Sequence, residues 1–140
     1  MIIYSKLPNN IEQTLPKVAL YLQSRENVLF AYLFGSLAQK KPMPLSDVDI
    51  AVYLSEDKKI FQNKMDILGK LIDILETDEV DLVLLNNAPL MLRMKVLQNK
   101  KIIADNNPFL RHQYESLTMR EYFDFCIRET DILERRFLRG

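Results

Sequence analysis

Two apolar runs dominate the first half of the chain, "VLFAYLF" over Val28–Phe34 and "DVDIAVYL" over Asp47–Leu54. The first holds seven consecutive residues without a charge and stops at Gly35. A run that short and that apolar fits a strand buried on both faces of a sheet, and is far too short to cross a membrane. A third run, "EVDLVLLNN" over Glu79–Asn87, has the same character, and "KIIAD" is a short fourth. Between and around them lie segments of helical spacing. "NNIEQTLPKVALYLQSREN" carries Ile11, Leu15, Val18, Ala19 and Leu22; either Thr14 caps a helix with Pro16 in its first turn, or Pro16 kinks a longer one. Ile60, Phe61, Met65, Leu68, Leu71, Ile72 and Leu75 form one stripe, with Ser55 placed to cap its start. A short helix is expected from Pro89. Asn107-Pro108 reads as an N-cap and first-turn proline of one helix of about 30 residues, roughly 45 Å long. The order helix, strand, strand, helix, strand, helix, strand, helix predicts an α/β (α+β) fold: a small mixed sheet flanked by helices, with a long C-terminal helix.

At 140 residues a single domain is expected, spanning 1–140. Nineteen Lys and Arg balance nineteen Asp and Glu. The chain therefore has no bulk pull toward nucleic acid or anionic membrane, and direct binding to either is not expected. One cysteine, Cys126, excludes an internal disulfide, and with one histidine, His112, a Cys/His zinc site is not expected. Cys126 reads as a small buried hydrophobe, and His112 as an ordinary helix-face residue. The start "MIIYSKLPNN" lacks a cationic segment followed by a long apolar one, so a cytoplasmic protein is expected.

The acids at the head of the second run are out of place in a core. Strand alternation puts Asp47, Asp49, Ala51 and Tyr53 on one face and Val48, Ile50, Val52 and Leu54 on the other. Asp81 in the third run shares a face with Val83 and Leu85. If the two strands are neighbours, about 4.8 Å apart, Asp81 approaches Asp49 side by side. Clustered carboxylates repel and resist burial, and a divalent cation reverses that energy. Oxygen ligands alone point to Mg²⁺ or Mn²⁺, and a pair of such ions can clamp the attacking and leaving oxygens of a phosphoryl transfer. Gly35 permits a sharp turn and close approach to a ligand. Its N–H, the Ser36 N–H and the Ser36 hydroxyl are potential phosphate donors. Lys40 and Lys41 could reach a triphosphate, though the solvated role is the commoner one. Arg93 and Lys95 are further candidates for a nucleotide or partner contact. A Gly-Ser turn or an Asp-x-Asp alone is weak. Their conjunction with a buried strand on each side and an acid in a third is much harder to reach by chance.

The pattern Gly35-Ser36, ten residues, Asp47-Val48-Asp49 resembles the signature of the DNA polymerase β-like nucleotidyltransferase superfamily. The resemblance runs from about Val18 to Asp105, with the helix of about 108–138 beyond it. The short length resembles the minimal nucleotidyltransferase branch, antitoxins paired with HEPN-domain ribonuclease toxins. The resemblance implies transfer of AMP from ATP to a tyrosine of the HEPN toxin, which silences it, within a hetero-oligomeric complex. It implies that Gly35 and Ser36 hold the nucleotide phosphates and that Asp47, Asp49 and Asp81 bind two Mg²⁺ ions. Asp81 would also help take the proton from the attacking hydroxyl. Other functions stay open. A small-molecule nucleotidyltransferase of the aminoglycoside type shares the motif but normally needs an acceptor-binding domain. A nucleic-acid end-adding enzyme would carry a basic footprint. An antitoxin acting by binding alone would not need the acids.

Overall fold

The computed structural model describes residues 11–35 and 48–137. In chain order the elements are α1 (Ile11–Ser24), β1 (Val28–Phe34), β2 (Val48–Leu54), α2 (Ile60–Leu75) and β3 (Val80–Leu84). A 3-10 turn (Leu85–Asn87), α3 (Leu90–Gln98), β4 (Lys101–Asp105) and α4 (Pro108–Phe137) complete them. This is the expected order. The four strands form one mixed sheet in the order β3-β2-β1-β4. β1 is antiparallel to both β2 and β4, and β2 is parallel to β3 with α2 as the connection between them.

Apart from Asp49 near the head of β2, the two central strands carry no charge, because both faces of the sheet are covered. On one face Val48, Ile50, Val52 and Leu54 pack with Ala31 and Leu33 against Val18 and Leu22 of α1 and Ile67, Leu71 and Leu75 of α2. On the other, Phe30, Tyr32, Phe34 and Ala51 pack against Leu85, Val96 of α3, and Leu110 and Tyr114 of α4. β1 supplies both cores by alternation, with an irregularity in its pairing between Val28 and Phe30. The rings of Phe30 and Tyr53 stack at 5.0 Å, and Tyr114 meets Tyr53 edge-on at 5.3 Å.

Several local expectations need correction. Of the two readings of the first helix the longer one holds: α1 already includes Ile11, so Thr14 is a buried residue inside it and not its cap, and Pro16 lies within it. α2 begins at Ile60, with Lys59 at the N-cap, so Ser55 does not cap it. Its buried face is Ile67, Leu71 and Leu75, whereas Phe61 and Met65 are exposed. The third strand ends at Leu84, where the chain turns into the 3-10 segment. There Asn86 replaces the missing ladder: its side-chain oxygen accepts from Leu54 N (2.9 Å) and its amide donates to Leu54 O (2.7 Å). Cys126 is half-exposed on α4, not buried.

α4 starts as the sequence indicates, with Asn107 Oδ1 accepting from Leu110 N at 3.1 Å. Its first half is held by polar contacts. Glu115 accepts from the Tyr32 hydroxyl (2.6 Å) and pairs with Lys100 (2.6 Å) and Arg111 (3.3 Å). Arg111 also pairs with Asp105 at 2.9 Å. Arg93 donates to Ala88 O, Thr118 Oγ1 and Glu121, tying α3 to α4. No helix among the described residues is long and apolar enough to cross a membrane.

Candidate active site

Asp49 and Asp81 lie in one row with Phe34 across three adjacent strands, and Gly35 follows Phe34 at the end of β1. In the β1–β2 ladder Asp49 is the register partner of Phe34, the residue before Gly35. In the β2–β3 ladder its register partner is Asp81. The row therefore crosses the sheet where β1 ends and where β2 and β3 begin. Residues opposite one another in a ladder point to the same face. The two acids thus share a face with Phe34, Ala51 and Tyr53, the α3–α4 side of the sheet. They stand at its end, beyond the apolar cover. Asp81 is exposed and Asp49 half-buried.

Gly35 is required by geometry. Its φ is +75°, in the left-handed region that side chains disfavour. A Cβ there would also run into Oδ2 of Asp49, with Asp49 Cγ 3.2 Å away. The glycine thus lets the backbone turn while the Asp49 carboxylate lies against its Cα.

Ser36, Lys40, Lys41 and Asp47 lie outside the described residues. Among the described residues no group of three or more His, Cys, Asp or Glu side chains stands close enough to hold a metal ion. Asp49 and Asp81 supply two oxygen-donor carboxylates on neighbouring strands. One or two carboxylates completed by water and phosphate is what Mg²⁺ takes, so the donor chemistry fits that ion. Arg93 is engaged with Ala88, Thr118 and Glu121, in the tie between α3 and α4. Lys95 is exposed and His112 is exposed on α4. An open groove of about 560 Å³, lined in part by Tyr53, Tyr114 and Arg120, includes neither Asp49 nor Asp81.

The polar cluster under α4 was not foreseen from sequence. Its members sit on β1, just before and on β4, and on α4, and in the chain its charged members look like ordinary surface charges. Burial disfavours the charge of Glu115, but hydrogen bonds from Lys100 and Tyr32 outweigh it and hold its carboxyl below the usual range. Burial, together with the Glu115 contact, pushes the Tyr32 hydroxyl well up. These groups anchor a helix; none belongs to the acidic row.

A family model described as "Polymerase beta, Nucleotidyltransferase" matches residues 16–109. A search of curated proteins gives no match. Among solved structures, a chain of a toxin–antitoxin complex with AMP-PNP is 25% identical, with a TM-score of 0.66 over 89% of this chain and 96% of that one. A chain of the complex between the tri-AMPylated Shewanella oneidensis HEPN toxin and its MNT antitoxin is 23% identical, with a TM-score of 0.63 over 89% and 97%. A chain of an MntA–HepT toxin–antitoxin complex is 23% identical, with a TM-score of 0.62 over 88% and 97%. The fold of this chain is the nucleotidyltransferase fold.

Proposed function

This chain belongs to the polymerase beta nucleotidyltransferase family, and from that premise we propose that it is the antitoxin of a toxin–antitoxin pair. It acts as a protein adenylyltransferase on a HEPN ribonuclease toxin, in the cytoplasm, as a single domain with its C-terminal helix. The observation that carries this is the register of Asp49 with Asp81 beside the left-handed Gly35. Support for the class of partner comes from the neighbours of matching extent, which include toxin–antitoxin complexes and one with AMP-PNP.

In this reading Gly35 and Ser36 offer N–H and hydroxyl donors to the ATP phosphates. Asp47, Asp49 and Asp81 hold two Mg²⁺ ions, with Mn²⁺ the alternative. Bound there, the ions supply neutralisation of the phosphates and of the charge that builds during transfer. The acceptor is a tyrosine hydroxyl of the toxin. Its oxygen forms a bond to the α-phosphorus as the bond to the β-phosphate oxygen breaks, so that pyrophosphate leaves. A free tyrosine is protonated at neutral pH, so the proton needs a base, and the exposed carboxylate of Asp81 takes it. The resulting AMP ester adds a bulky anion to the toxin, which opposes RNA phosphate at its cleavage site.

The test mixes the chain with the product of the adjacent gene, ATP and Mg²⁺, and reads intact mass. The toxin should gain one or more AMP units and lose ribonuclease activity. Inhibition without a mass change, equal for wild type and Asp49→Asn, would make this a binding antitoxin. Transfer of AMP to an aminoglycoside and not to the toxin would favour the small-molecule enzyme.

A further inference from the structure

The second half of α4 leaves the body of the protein: every residue from Ile127 to Phe137 is exposed. It is nevertheless not polar. Met119, Phe123, Cys126, Thr130, Leu133 and Phe137 recur at alternating spacings of four and three, which sets them on one stripe of the helix. Phe123 is 61% exposed, Leu133 54% and Phe137 75%. The stripe lies to one side of the face that grips the body, which carries Arg111 and Thr118, both buried. Thr130, the polar member, donates its hydroxyl to Cys126 O at 2.9 Å, so it can enter an apolar seam without an unmet hydrogen bond.

We propose that this stripe pairs with the same stripe of a second copy of this chain, as an antiparallel two-helix coiled coil. The sequence of the stripe is complementary to its own reverse. Antiparallel about residue 128, Met119 meets Phe137 of the second copy, Phe123 meets Leu133, and Cys126 meets Thr130. Large layers fill both ends and a small layer fills each side of the centre. The flanks decide the orientation. Arg120 lies opposite Glu134 twice, Tyr122 opposite Arg136 twice, and Ile127 opposite itself. The one like-charge contact is Glu129 with its copy. A parallel pairing would instead set Glu129 against Glu134 twice and face Arg120 with Glu115, which Tyr32, Lys100 and Arg111 already hold. The four phenylalanine rings alone would remove roughly 500 Å² from water. Met119, Ile127 and Leu133 of both copies bring the total to the order of 1,000 Å², the size a specific contact needs. The pairing shares no residue with the acidic row, so it stands whatever that row catalyses.

Sedimentation equilibrium of the full chain, at low salt and without toxin, tests this. Wild type should dimerise at micromolar concentration. Phe123→Lys with Leu133→Lys, both on exposed positions, should weaken the dimer at least 100-fold while the circular dichroism spectrum is retained. Arg120→Glu alone and Glu134→Arg alone should each weaken it on the order of tenfold, and the double exchange should restore it. A wild-type chain monomeric to about 100 μM would overturn the proposal and leave the stripe to a different partner. So would a dimer indifferent to the lysine pair, or a double exchange no better than the single ones.

Discussion

Asp49 and Asp81 carry the proposed chemistry from outside the apolar cores. Neither belongs to the two apolar clusters, and Asp81 is exposed. Asp49→Asn or Asp81→Asn should therefore leave the melting temperature nearly unchanged. AMP transfer should fall by about a thousandfold or more, because each removes charge from the place where phosphate charge builds. Loss of the folded circular dichroism signal in Asp49→Asn would show the acid to be structural. Gly35→Ala should behave differently, damaging both properties. The left-handed φ costs an alanine about 1–2 kcal/mol, and the added methyl displaces the Asp49 carboxylate. Denaturant unfolding and the transfer assay together separate the two effects. Gly35, Asp49 and Asp81 could all be picked from sequence, because a glycine that closes an apolar run and an acid that opens one are local anomalies. The register that joins Asp49 to Asp81 was conditional on β2 and β3 being neighbours, which no local pattern decides.

At the scale of elements, the polar clusters fix helices that apolar packing alone would hold loosely. Glu115 gathers Tyr32 of β1, Lys100 before β4, and Arg111 of α4. Its carboxyl is held below the ordinary value of 4.5. A depressed acid contributes stability that is complete above its ordinary range and is lost as pH falls through the lower folded-state value. Unfolding free energy should therefore drop as pH falls below about 4.5, and in Glu115→Gln that part of the drop should disappear. At pH 7 the same variant should cost about 2 kcal/mol, the scale of hydrogen bonds to a charged group. Equal acid profiles for variant and wild type would remove Glu115 from this role. Asn86→Ala should cost about 1–3 kcal/mol by leaving the Leu54 N–H and carbonyl without partners. The strands were legible because continuous apolar runs admit few other fates. The phase of α2 was not: both Phe61–Met65 and Ile67–Leu71–Leu75 are apolar stripes, and only the position of the sheet decides which is covered. Cys126 was misplaced for a related reason, since half of α4 extends past anything it could pack on.

At the scale of the whole molecule, the sheet is a plate covered on both faces whose one end carries the acids. The apolar clusters hold the plate together without them, so binding at that end adds to stability instead of replacing a contact. ATP with Mg²⁺, bound to the native state alone, should stabilise the chain by mass action. At a ligand concentration of about 100 times Kd that is roughly 2.7 kcal/mol, or a rise in Tm of roughly 5–10 °C for a domain of this size. The sign of the metal's contribution follows from charge. Without a cation the carboxylates of Asp49 and Asp81 repel a polyphosphate, and with one they hold it through the shared ion. EDTA should therefore abolish most of the shift, and Asp81→Asn should reduce it while the unliganded Tm stays near that of wild type. Thermal scans with ATP, ATP and Mg²⁺, and ATP and EDTA read all three. An equal rise with ATP in EDTA would place the nucleotide away from the acids, and Gly35, Asp49 and Asp81 would then lose their claim to be a metal-dependent transfer site.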